Sequence, residues 1–433
     1  MVISVKKSLY FLIVIMAVLY PNHLLISFLT SSTPLVVWKQ LLTIVIFLWG
    51  IWFCLRAKIS IDSMVFIISL FLLLPSVVTA LILEISFLRV MYALFLYIGT
   101  ISVILVPRYL GVSNVKELIF RLSHFLGIVL VIGLGVDYFT DLFINVPRGE
   151  YSSLDNLDEV GFIRRASLFF GAATTVFPTL AFCFFGSIFV LWRDNKFFQS
   201  IVTIAVFYAF YTFAILMTAS RAAIFSWLVL SALLYIFSFP HWTKRVIFDK
   251  SSVGEKLFYG IVVTVSLLFL VWVFNWMIDF TYILFDASDV SNAQRFSRWS
   301  AGLQLFQFNI YLLMGHGLGA TIGNIPDSFP VHTHYESSFF QILYEMGLFG
   351  LVFLYLPAAA AFLRWIRVAG SSMSDRLLVV WIITYLISIL AAPTFLSLHF
   401  SFLYYVSSGL LLGRTGRVYA VAVSTNGSRG VLK

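Results

Sequence analysis

The stretch HTHYESSFFQILYEMGLFG, His332 to Gly350, begins with two histidines and a glutamate and continues as an apolar run. An imidazole and a carboxylate at the mouth of an apolar helix are the groups of a general base, which takes a proton from an attacking hydroxyl. His334 and Glu336 are the candidates for that role, with His332 beside them. Glu336 also has a purely structural reading, because a carboxylate in the first turn of a helix is favoured by the helix dipole. The spacing H-x-H-x-E is not a helix-spaced ligand set, so no metal is expected.

Two further helix starts carry cations. In LMTASRAAIFSW, Arg221 follows Ser220 directly, and in EVGFIRRASLFF, Arg164 and Arg165 precede Ser167. A cation at a helix N-terminus opposes the dipole unless an anion is held there. Free backbone N–H groups and a guanidinium together suit a phosphate. Arg295, Arg298 and Trp299 lie on RFSRWSAGLQLF, and MGHGLGA supplies Gly317 among glycines that let backbone approach a ligand closely. Ordinary ion pairing with acids in the same loops is the competing account of Arg298, and one of Arg164 and Arg165 is open to pairing with Glu159.

The elements that must position these groups are membrane helices. The chain has 433 residues, 61% hydrophobic, 18% aromatic and 11% charged, against about 25% charged in soluble domains. Apolar runs of about 20 residues recur throughout, which predicts an all-α polytopic membrane protein with about 12 spans. They are expected near residues 8–29, 38–55, 62–82, 87–106, 118–140, 167–192, 197–217, 222–240, 257–277, 338–363, 377–395 and 399–413. Twenty of the 28 lysines and arginines fall on one set of connections, including "RDNK" and the C-terminal tail. By the positive-inside rule that face, with both termini, is cytoplasmic.

The other face then carries two long loops, about 140–167 and 278–337, and all three helix starts described above. RFSRWSAGLQLFQFNIYLLMG suits a helix lying at the interface. Residues 1–433 read as a single membrane domain with a retained first helix. Two cysteines within apolar runs give no disulfide framework, and dispersed basic residues exclude a nucleic-acid partner.

These residues resemble the O-antigen ligase and O-antigen polymerase superfamily of bacterial polysaccharide assembly. TASRAAIF resembles its Ser-Arg helix start. RFSRWSAGLQLF followed by GHGLGA resembles its Arg-x-x-x-Trp segment and Gly-x-Gly turn, with Arg295, Trp299, Gly315 and Gly317 (or Gly317 and Gly319) in those slots. The stretch from His332 resembles the loop-to-helix ending in Glu-x-Gly-x-x-Gly, here Glu345, Gly347 and Gly350. In the slot where the family often has histidine, this chain has Glu336, with His334 two positions earlier.

The resemblance implies a metal-independent, cofactor-free, inverting glycosyltransferase of the bacterial inner membrane, working at the periplasmic face. Its donor would be an undecaprenyl-pyrophosphate-linked oligosaccharide. Arg165, Arg221 and Arg295 would neutralise the departing pyrophosphate, with Arg298 in the same donor group and Arg164, Ser220, Trp299, Gly317 and His332 in support. His334 or Glu336 would serve the acceptor. A polymerase joining repeat units is preferred; a ligase delivering glycan to lipid A–core is the alternative. Besides membrane lipids, the resemblance leaves room for a chain-length regulator or flippase as partner. A 12-helix secondary transporter is the rival of another class. It is disfavoured because the long loops lie outside, the central inner connection is short, and no charge stands in mid-span.

Overall fold

The computed structural model describes residues 2–19, 38–57, 59–140, 173–194, 197–218, 220–248, 297, 299–304, 306, 309–321, 337–368, 372–391 and 398–413. Among them every regular element is helical. In chain order these are α1 (Val2–Leu19), α2 (Trp38–Arg56), α3 (Ile61–Ile82), α4 (Phe87–Ile98), a 3₁₀ stretch (Ile101–Leu105), α5 (Val106–Leu110) and α6 (Val112–Phe139). Then follow α7 (Ala173–Asp194), α8 (Phe197–Met217), α9 (Arg221–Phe248), α10 (Ile310–Met314), α11 (Ser338–Arg367), α12 (Met373–Ala391) and α13 (Leu398–Leu412). Among the described residues, five helical stretches are long and apolar enough to cross a membrane: Ile61–Ile82, Phe87–Leu110, Val112–Phe139, Ser338–Arg367 and Met373–Leu390. Shorter apolar helices accompany them. The protein is a polytopic, all-helical membrane protein.

Described helices fall in each expected segment except 257–277; that segment, together with 20–29, 167–172 and 392–395 of three others, lies outside the described residues. Three differences have physical causes. The first helix begins at Val2, not near residue 8, and takes in both lysines. Lys6 stays inside it because its ammonium rests 5.8 Å from the centre of the Tyr109 ring, a favourable cation–π contact. The fourth expected span is broken. Its α-helix stops at Ile98, tightens to 3₁₀ over Ile101–Leu105 and resumes with Pro107 at its start. Proline has no N–H and its ring crowds the carbonyl four residues back, so Val103 O lacks an α-helical donor at 107; Val103 N–H itself donates to Thr100 O at 3.0 Å in the tighter 3₁₀ pattern. The segment expected as one interfacial helix is, among its described residues, two short pieces. The second is α10, capped by Asn309, whose Oδ1 accepts from Leu312 N–H at 2.9 Å.

The broken span sits at the centre of the bundle. Ile101, Val103, Ile104 and Leu105 have no exposed surface. The 3₁₀ stretch packs against α13 on one side and α2 on the other. A Cβ on Gly50 of α2 would lie 2.6 Å from the Ser102 Cβ, so this crossing exists only because position 50 has no side chain. Thr100 bridges to Ser401 of α13 by a 2.8 Å hydrogen bond.

Ion pairs gather several helix ends on one face. Arg108, in the last turn of α5, meets Asp62 in the first turn of α3 at 2.9 Å. Lys116, near the start of α6, reaches Asp375 in the first turn of α12 at 3.6 Å and Ser374 Oγ at 2.8 Å. All the basic residues in these pairs belong to the set assigned to one side by sequence.

Gly50→Ala should lower the thermal midpoint of the detergent-solubilised protein, at a cost of about 1–3 kcal/mol for overpacking. Adding Ser102→Gly, which removes the clashing Cβ, should recover most of that loss. Equal midpoints for Gly50→Ala and the unaltered protein would show that α2 does not seat on the 3₁₀ stretch.

Candidate functional site

The α8–α9 hairpin presents the Ser-Arg start. Trp227 Nε1 donates to Thr212 Oγ1 at 3.0 Å, and the Tyr208 and Trp227 rings stack with centroids 5.6 Å apart. These contacts clamp the two helices just below their connection. The connection is capped on both sides. Thr218 Oγ1 donates to Ile215 O at 2.6 Å, closing α8, and also accepts from Ser220 N–H at 3.3 Å. Ser220 Oγ accepts from Ala223 N–H at 3.3 Å, opening α9 as an N-cap. Ser220 is thus committed to the backbone, and Arg221 is the first residue of α9, as the sequence predicted.

The glycine segment behaves differently from expectation. Gly315–Thr321, part of the stretch read as an external loop, lies inside the bundle, with Leu318 and Ala320 fully buried. It docks where α11 is broken: Gly347 has φ 60° and ψ −150°, a conformation open essentially to glycine alone. A break of this kind withdraws the N–H groups that would serve the carbonyls of the preceding turn. The glycine segment replaces them. His316 N–H donates to Tyr344 O at 2.7 Å, and Gly317 N–H to Glu345 O at 3.2 Å. The approach requires bare backbone, since a Cβ on Gly315 would overlap the Glu345 carbonyl and one on Gly347 would lie 2.5 Å from Leu313 C and O. On its far side the segment meets α3, where Leu318 N–H donates to Ser76 O at 3.1 Å and a Cβ on Gly317 would come 2.7 Å from Ala80 Cα.

Side chains complete the joint. The His316 ring is sandwiched between Tyr311, with centroids 4.6 Å apart, and Tyr344, with centroids 4.2 Å apart. Glu345 is fully buried. Its Oε1 accepts from Thr321 N–H at 3.0 Å and from Thr321 Oγ1 at 2.5 Å, and its Oε2 accepts from Tyr97 Oη of α4 at 2.9 Å. Gln341 Nε2 in turn donates to Thr321 Oγ1 at 2.6 Å. The expectation that no charge-bearing group stands in mid-span is therefore corrected. Glu345 lies seven residues into α11, ~10 Å along the helix at 1.5 Å per residue, and its side-chain partners come from α4 and the glycine segment. Sequence reading placed Glu345 in a motif without assigning it a task. A carboxylate inside an apolar run was the signal that could have done so.

The sequence-predicted site residues divide into two groups. Arg164, Arg165, Arg295, Arg298, His332, His334 and Glu336 lie outside the described residues. Trp299 belongs to the helical piece 299–304, which seats on α11 where a Cβ on Gly302 would come 2.6 Å from the Phe340 ring. Gly317 spends its conformational freedom on α3 and α11. The connection that holds His332, His334 and Glu336 has defined ends: Thr321, bonded to Glu345 and Gln341, and Ser337, whose Oγ donates to Ile389 O of α12 at 3.2 Å.

Residues 204–355 match the family model described as O-antigen ligase. That match supports the O-antigen ligase and polymerase superfamily for this chain. It runs from within α8 through the Ser220–Arg221 start, the glycine segment and the Gly347 break of α11. It supports a ligase- or polymerase-type function and a glycosyltransferase-like enzyme. No curated protein and no solved structure matches the chain.

Gly347→Ala should destabilise the solubilised protein by about 2 kcal/mol or more, from backbone strain and the clash with Leu313 together. Gly135→Ala is the control: nothing lies within 4 Å of a Cβ there, and the helix propensity of alanine should make it neutral or stabilising by up to about 1 kcal/mol. Thermal unfolding of both variants in one detergent decides the matter; equal midpoints would remove the break from the account.

Proposed function

We propose that this protein is a glycosyltransferase that works at the periplasmic face of the inner membrane on a glycan carried by undecaprenyl pyrophosphate. The preferred activity is that of a polymerase joining repeat units. The observation that carries the reading is the family match over 204–355, within which Ser220 caps α9 and leaves Arg221 at its first position.

In the proposed reaction, His334 or Glu336 takes the proton from an acceptor sugar hydroxyl. The acceptor oxygen bonds to the anomeric carbon of the donor with inversion, and the bond from that carbon to the pyrophosphate oxygen breaks. Arg165, Arg221, Arg295 and Arg298 neutralise the leaving pyrophosphate, which departs with its polyprenyl chain. The first residue of a helix suits this task, because its free N–H groups and dipole favour an anion. In this proposal the about 12-span topology holds both termini in the cytoplasm and all these residues on the other side.

The test is three separate substitutions, Arg221→Ala, Arg295→Ala and His334→Ala, with membrane levels checked and surface polysaccharide followed as a gel ladder. Each should reduce transfer on the order of 10²–10³-fold. Normal ladders in all three would sink the proposed site. A strain lacking the protein separates the two acceptors. Loss of a polymerase leaves core bearing one repeat unit, whereas loss of a ligase leaves bare core and polymer stranded on its carrier.

A further inference from the structure

We infer that α13 clamps a proline hinge in α11 through a single hydroxyl, that of Tyr404. Pro357 lies in the interior of α11. Having no N–H, it leaves the Phe353 carbonyl without its ladder donor, and its ring crowds that carbonyl, so the turn around it is loosened. Tyr404 Oη stands at the next ladder position. It accepts from Ala358 N–H at 3.2 Å and donates to Leu354 O at 2.6 Å. In a regular α-helix those two backbone groups are each other's partners. One phenol hydroxyl thus bridges both ends of one ladder position, its hydrogen going to the carbonyl and a lone pair to the amide.

Burial gives the bridge its weight. Leu354 and Tyr404 have no exposed surface and Ala358 is 2% exposed, so protein groups must satisfy this amide and this carbonyl. The Tyr404 ring is itself held in place. Tyr385 of α12 lies 5.6 Å from it and Tyr405 5.2 Å, centroid to centroid. A hydroxyl anchored in this way resists motion in both directions: closing the ladder would expel it, and opening the turn further would break both of its bonds. Phenylalanine would fill nearly the same space, so the hydroxyl is the part that packing does not require. With it in place, the inward part of α11, 358–367, keeps its angle to the part that carries the Gly347 break. The second weak point of α11 is therefore governed by another helix, as the first is by the glycine segment.

The experiment uses the full-length protein in lipid nanodiscs, with Cys54 and Cys183 replaced by alanine and spin labels attached at Val352→Cys and Ile366→Cys. These positions are 49% and 69% exposed. They flank Pro357 and lie about 21 Å apart along the helix axis. Double electron–electron resonance reads the distribution of distances between the labels. The unaltered turn should give one narrow distribution. Tyr404→Phe should widen it about twofold or more, because an unclamped proline turn samples a range of angles. Tyr405→Phe, which takes a hydroxyl from the neighbouring ring, should leave the width unchanged. Adding Pro357→Ala to Tyr404→Phe should restore the narrow distribution. The Phe353 carbonyl then regains its donor and Ala358 N–H returns to Leu354 O, a repair that lost packing would not receive.

An unchanged width in Tyr404→Phe would overturn the clamp, as would an equal widening in Tyr405→Phe. A widening that Pro357→Ala does not repair would overturn it too, since the hydroxyl would then act on something other than the proline turn. If Tyr404→Phe alone fails to reach the membrane, recovery of the protein on adding Pro357→Ala supports the clamp, and failure of the pair overturns it.

Discussion

A carboxylate enclosed by helices must be met by donors from its surroundings, and in this protein the donors are supplied by chain segments that would otherwise have no reason to meet. Glu345 draws on Tyr97 of α4 and on Thr321 at the end of the glycine segment. Its own backbone carbonyl and that of Tyr344 draw on Gly317 and His316. The broken helix, the absence of side chains at Gly315 and Gly347, and the burial of a segment that looks like a surface loop are consequences of satisfying that one position. Each alone would be unfavourable: a non-helical residue in an apolar span, bare glycine backbone, a buried acid. Together each supplies what another lacks.

The same logic recurs elsewhere in the bundle. Pro107 follows the 3₁₀ stretch, and the neighbours of that stretch accommodate it by removing bulk, with Gly50 set against Ser102. At the opposite ends of the helices, Asp62 and Asp375 take Arg108 and Lys116. Irregular backbone in a membrane protein persists where other protein covers it. Here the irregular pieces are the centre of the bundle, and the regular helices α2, α3 and α6 carry the exposed apolar side chains Leu55, Phe71 and Phe125.

Much of the architecture was legible in the sequence because helix formation in lipid depends on apolar length, which a linear pattern records. The Ser220–Arg221 start was legible for a similar reason: capping is local, and three residues carry it. The break after Ile98 was read through, because the surrounding residues are as apolar as those of an intact span. The seat of Gly315–Thr321 could not be read. Its glycines fit an exposed loop approaching a ligand as well as a buried one approaching a helix, and only contacts with Ser76, Ala80 and Glu345, far apart in sequence, distinguish the two. Glu345 was visible as an acid in an apolar run, yet its partners Tyr97 and Thr321 carry no pattern that points to it.

The order of the partners along the chain has a bearing on how the protein is made. Synthesis proceeds from the N-terminus, so Tyr97, Gly317, Thr321 and Gln341 have all left the ribosome before Glu345 does. The acceptor arrives last, into surroundings whose donors are already present. A helix whose break and buried acid would make it a poor candidate for solitary insertion thus reaches the membrane with its complement waiting. The assembled joint is in this sense a record of translation order: the costliest residue is also the one that never has to wait for its partners.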